Sequence, residues 1–108
     1  LTRMNAKSSP SRRLPNVHPG EVLLEDFLKP LGLSQYRLAA DLGIPESRVS
    51  EIVRGARGVT ADTALRLARY FRTSHELWLN LQDRYDVEET QRAKHREIEK
   101  IRPHAAVA

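Results

Sequence analysis

The chain has no cysteine, one tryptophan and one methionine, and aromatic residues make up only 6% of its 108 residues. Without cysteine there is no disulfide framework and no thiol nucleophile, and the composition fits a reducing cytoplasm. The four histidines, His18, His75, His95 and His104, are too scattered to place two metal ligands on one helix face, and His95 with Glu97 lacks a second histidine at the required spacing. Neither a G-x-S-x-G elbow nor a P-loop is present, and the RGARG stretch at residues 54–58 is too short for a Walker-type cradle. Catalysis is therefore not expected, and no cofactor or metal is implied. No apolar run approaches the roughly 18 residues of a membrane span. The first residues carry no signal-peptide pattern, and Met4 is a candidate start, with residues 1–3 as a remnant. Strand patterns and internal repeats are also missing. The expectation is one all-α domain, soluble and cytoplasmic, with no membrane association.

An excess of one charge is likewise missing once the start of the chain is set aside. The net charge is +4, and residues 1–18 hold Arg3, Lys7, Arg12 and Arg13 with no acid, so the remainder balances. Residues 1–16, rich in Ser, Pro and Arg, read as a flexible basic arm. Within the balanced part, residues 43–72 carry Arg48, Arg54, Arg57, Arg66, Arg69 and Arg72 against Glu46, Glu51 and Asp62. Arginine without lysine suits bidentate contact with phosphate or guanine, although it also serves ordinary surface ion pairs.

Helical periodicity, by contrast, is plentiful. In residues 20–32, Val22, Leu23, Phe27, Leu28 and Leu31 follow early acidic residues, which predicts a first helix ended by Pro30 and Gly32. Thr60 is expected to cap a fourth helix over about residues 61–71, with Ala64, Leu65, Leu67, Ala68 and Phe71 as core. Ser74 is expected to cap a fifth, containing Leu77, Trp78 and Leu81, with Trp78 as a packing residue. From Asp86 a capping box with Glu89 predicts a separate, strongly charged helix whose apolar residues, Val87, Ala93, Ile98 and Ile101, are sparse. Leu79, Leu81 and Tyr85 exceed what one helix face can bury, which points to dimerisation through the fifth helix and the residues C-terminal to it.

Residues 33–55, LSQYRLAADLGIPESRVSEIVRG, hold the most informative pattern. Ser34 opens a helix with Leu38, Ala39 and Leu42 at helical spacing, and Gly43 stops it. A second helix comes next over about residues 45–54, started by Pro45. At 100° per residue its Val49, Ile52 and Val53 share one side, while Ser47, Glu51 and Arg54 point the opposite way with Ser50 beside them. A polar face alone also fits an ordinary solvated helix. Paired with a tight glycine turn and small packing residues, it matches two helices crossing as a helix-turn-helix, whose second helix reads the major groove. Arginine pairs best with guanine there, a carboxylate accepts from the cytosine amine, and serine is permissive. The arginines of the RGARG loop, Arg54 and Arg57, suit phosphate.

The stretch over about residues 16–85 resembles the HigA-type antitoxins, a branch of the lambda-repressor-like (XRE) DNA-binding proteins. The resemblance is carried by NVHPGEVLLEDFLKPLGLSQ, by GIPESRVSEIVRGARGVTADTALRLARYFRTSHELWLNLQ, and by the tyrosine and aspartate just after. TADTALRLARYF and the W-L-N-L-Q ending are more specific to that branch than the helix-turn-helix. Where an ordinary member has GTS before the fifth helix, this chain has Arg72-Thr73-Ser74. The resemblance implies a five-helix domain over residues 17–85, continued by a charged C-terminal helix and tail over residues 86–108. It further implies a homodimer that binds a palindromic operator in the major groove, represses a promoter, and neutralises a HigB-type toxin, a small ribonuclease that cuts messenger RNA on the ribosome. Carried over residue by residue, Gln35 is a phosphate contact, Glu46, Ser47, Ser50 and Glu51 take base-reading positions, and Arg48 and Arg54 contact phosphate or base. The alternatives are a stand-alone regulator of the same family without a toxin, and a protein-interaction module whose acids on the reading helix abolish DNA binding.

Overall fold

His18 turns the incoming chain into the first helix: its backbone is extended, and its Nδ1 accepts the Gly20 amide at 2.9 Å. The computed structural model describes residues 16–107, so the basic arm expected over residues 1–16 lies outside the described residues except for Asn16. The first helix, α1, runs Pro19–Val22, widens into a π-helical stretch at Leu23–Leu28 and closes over Lys29–Leu31. Pro30 explains the widening. It lacks an amide hydrogen, and its ring presses on the carbonyl four residues back. In the wide turn the Lys29 amide donates to the Leu24 carbonyl, five residues back, which opens the backbone ahead of the ring. Pro30 thus sits inside the last turn, and Gly32 alone ends the helix.

Among the described residues four more helices follow: α2, Gln35–Leu42; α3, Glu46–Val53; α4, Ala61–Phe71; and α5, His75–Glu99. The expected caps form. The Ser34 hydroxyl accepts the Arg37 amide at 3.0 Å, Thr60 accepts that of Thr63 at 3.4 Å, and Ser74 that of Leu77 at 3.1 Å. The separate charged helix does not start at Asp86. No glycine or proline interrupts residues 75–102, so α5 continues through the capping-box sequence, and Asp86 accepts a hydrogen bond from Gln82 Nε2 at 3.0 Å instead of capping. The break comes later, at Lys94, with φ −125° and ψ 16°.

The core gathers Leu23 and Leu28 of α1, Leu38, Ala39 and Leu42 of α2, Val49 and Ile52 of α3, Ala64 and Leu67 of α4 and Trp78 of α5, with Ile44 and Val59 from the connections. Each such large side chain contributes about 1.5–3 kcal/mol on burial. Trp78 is fully buried, donates its Nε1 hydrogen to Thr73 Oγ1 at 2.9 Å, and lies with its ring centroid 5.2 Å from that of Phe27. One expected core residue is outside: Leu65 is 57% exposed. The inward face of α4 is set by Ala64, Leu67 and the buried Thr63, and Leu65 stands about 100° away from Ala64.

Candidate nucleic-acid interface

The turn that presents α3 is built from backbone hydrogen bonds. The Gly43 amide donates to Ala40 O at 3.2 Å and the Ile44 amide to Ala39 O at 3.1 Å, a Schellman closure in which Gly43 takes φ 72°. Ile44 then drops into the core, and Pro45, with ψ 144°, aims the chain into α3. Behind α3 the first helix comes into direct backbone contact. A Cβ on Gly20 would lie 1.7 Å from the Ile52 carbonyl oxygen, so only glycine permits this approach.

With Val49 and Ile52 in the core, the opposite side of α3 is left to solvent. Glu46, Ser47 and Arg54 are exposed, and Arg48, Ser50 and Glu51 are half-exposed. Ser50 Oγ donates to Ser47 O at 3.3 Å, which leaves its lone pairs as acceptors. Gln35 stands half-buried at the first position of α2. The structure therefore brings Glu46, Ser47, Ser50, Glu51 and Arg54 onto one helix and its C-terminal cap.

Two of the expected arginine contacts are already engaged with acids. Arg48 Nη1 lies 3.0 Å from Asp62 Oδ2 at the start of α4. The same oxygen accepts from Arg66 Nε at 3.0 Å, while Arg66 Nη1 donates to Leu42 O at 2.8 Å at the end of α2. The Arg66 hydrogen bond, with that from Arg48 behind it, holds the Asp62 carboxyl below the usual carboxylate range. At the other end of α3, Arg57 Nε donates to Glu51 Oε1 at 2.8 Å. Arg54 makes no ion pair among the described residues.

Sequence reasoning overlooked three supporting side chains. Asp62 joins Arg48 across 14 residues, a separation that no helical period marks. Gln82 of α5 reaches back to the loop after α3, where its Oε1 accepts the Val59 amide at 2.7 Å. Its place in the W-L-N-L-Q ending was the available signal. Asn16 ties the chain entry to α5, donating to Tyr85 O at 2.8 Å.

Comparison with known proteins gives the family and the fold. The helix-turn-helix family matches residues 24–78, a segment that begins in α1 and ends in α5. Virulence-associated protein I of Dichelobacter nodosus is 52% identical over 81 residues, covering 75% of this chain and 75% of that protein. Antitoxin HigA-1 of Vibrio cholerae is 32% identical over 93 residues, 86% of this chain and 87% of that protein. The solved structure of Pseudomonas aeruginosa antitoxin HigA with the higBA promoter superposes with a TM-score of 0.80 at 40% identity, covering 82% of this chain and 98% of that one. With its glycine turn, its core-facing Val49 and Ile52 and its outward polar side, the chain belongs to the HigA-type antitoxins of the XRE helix-turn-helix family.

Proposed function

We propose that this protein binds operator DNA as a homodimer through α3, represses transcription, and acts as the antitoxin to a HigB-type toxin. The observation that carries the reading is the outward side of α3, Ser47, Ser50 and Arg54, held on a turn whose backbone is fixed by hydrogen bonds, in a fold shared with an antitoxin solved with its promoter. Two copies of α3 related by a dyad reach successive major grooves when the half-sites lie about 34 Å apart. Glu46, Ser47, Ser50 and Arg54 then face base edges, and Gln35, Arg48 and Arg57 lie toward phosphate. Dimerisation through α5 and the residues C-terminal to it is supported by Leu77, which is exposed, and by Leu79, Leu81 and Tyr85, which this chain buries only in part. Binding by arginine to phosphate makes affinity fall steeply with salt.

The test is an electrophoretic shift with the DNA upstream of the protein's own gene, with and without the product of the adjacent gene. A specific shift whose affinity responds to that product is the expected result. A stable complex of the two proteins with no shift overturns the repressor role, and a failure of the two proteins to form a complex overturns the antitoxin role.

A further inference from the structure

Glu51 and Arg57 are joined through both main chain and side chain. The Glu51 carbonyl accepts the amides of Ala56 and Arg57, at 2.8 and 3.2 Å, and its carboxylate accepts Arg57 Nε at 2.8 Å. One residue of the reading helix therefore sets the path of the adjoining loop and the direction of a guanidinium upon it. Arg57 occupies Oε1 and offsets the carboxylate's charge, so Glu51 turned toward the DNA without Arg57 would present a bare carboxylate that repels phosphate. Arg57 keeps four N–H donors beyond Nε, with no partner among the described residues, in the fork geometry that suits phosphate oxygens. The two side chains are 49% and 34% exposed, so the ion pair itself adds little stability in water. Its contribution is placement: the loop and guanidinium are ordered before DNA arrives, which lowers the entropy lost on binding.

We infer that Glu51 is a positioning residue that sets Arg57 against the DNA backbone and does not read bases; this assignment rests on the DNA-binding function proposed for α3. The experiment uses the full chain and a pool of duplexes with a randomised core of about 20 base pairs, room for two half-sites one helical turn apart. Base preference, affinity and salt slope are measured for the wild type, Glu51→Gln, Arg57→Ala and the double variant. Arg57→Ala is expected to weaken binding about tenfold and to lower the salt slope by about one per half-site. Glu51→Gln alone is expected to stay within about twofold of wild type, since the amide oxygen still accepts from Arg57. Added to Arg57→Ala, it is expected to restore about threefold, because the unpaired carboxylate is gone. Base preference stays unchanged in all three variants. A preference relaxed at one base pair by Glu51→Gln, or the same loss from Glu51→Gln with and without Arg57, overturns the assignment alone. A wild-type chain that enriches no sequence overturns the DNA reading and the assignment together.

Discussion

Gly20 of α1 lies so close to Ile52 of α3 that a methyl group on Gly20 would stand 1.7 Å from the Ile52 carbonyl oxygen and 2.6 Å from its carbon. The contact is with backbone, which has no rotamer to change. Gly20→Ala must therefore push α1 off α3, and the expected loss is about 3 kcal/mol or more, the upper range for overpacking. Urea unfolding measures it, and a loss below about 1 kcal/mol would mean that the helices are not in this contact.

His18 caps α1 through Nδ1 and packs edge-on against Tyr85, with ring centroids 4.8 Å apart. Burial holds its pKa below the ordinary 6.5, against the opposing pull of Asp86 and Glu21. The unfolded chain thus takes up the proton first as pH falls. Stability from this site is complete above the unfolded value of 6.5 and is lost as pH drops from there through the lowered folded value. Thermal unfolding between neutral and mildly acidic pH should show this loss. His18→Asn, which keeps a capping acceptor and cannot titrate, should flatten it; an unchanged slope would place the pH dependence elsewhere.

Arg72 closes α4 with φ 60° and ψ 40°, the left-handed conformation in which a side chain is strained. Arg72→Gly should raise stability by about 0.5–1 kcal/mol, the relief of strain exceeding the entropy that glycine adds to the unfolded chain. A lower melting temperature for this variant would mean that the Arg72 side chain makes a contact worth more than the strain.

Gln82→Ala removes the acceptor of the Val59 amide. A stability loss of about 1 kcal/mol is expected, with Val59 amide exchange rising more than that of Leu67 in the core. Equal changes at both amides would point to a global effect instead.

Arg54 and Arg48 should differ on operator DNA. Arg48 has part of its charge offset by Asp62, whereas Arg54 makes no ion pair among the described residues. Arg54→Ala is expected to cost about 1–3 kcal/mol of binding and to relax one base preference, and Arg48→Ala to cost less and evenly across sequences. Equal, sequence-independent losses would remove Arg54 from the base contacts.

Much of this architecture is legible in the sequence because it is local. Ser34, Thr60 and Ser74 cap their helices through amides three residues on, and Gly43 stops α2, all within the reach of a short sequence window. Leu65 is misplaced by periodicity because a run of apolar residues, Ala64, Leu65, Leu67 and Ala68, does not say where its arc ends. Asp86 misleads because a capping box is a start signal only when something upstream has ended the previous helix. The ion pairs of Arg48 and Arg57 are hidden for different reasons. One spans two helices, and the other depends on a loop that folds back to make the Glu51 carbonyl an acceptor.

Gln82 spans the gap between α5 and the loop after α3, with its carbonyl accepting from Val59 and its amide donating to Asp86. That side chain ties α5 to the loop alongside the packing of Val59 in the core. Should α3 bind DNA as proposed, a load placed on α5 by another protein would reach the loop that carries Arg57 by this polar route as well as through the packing of Val59 in the core.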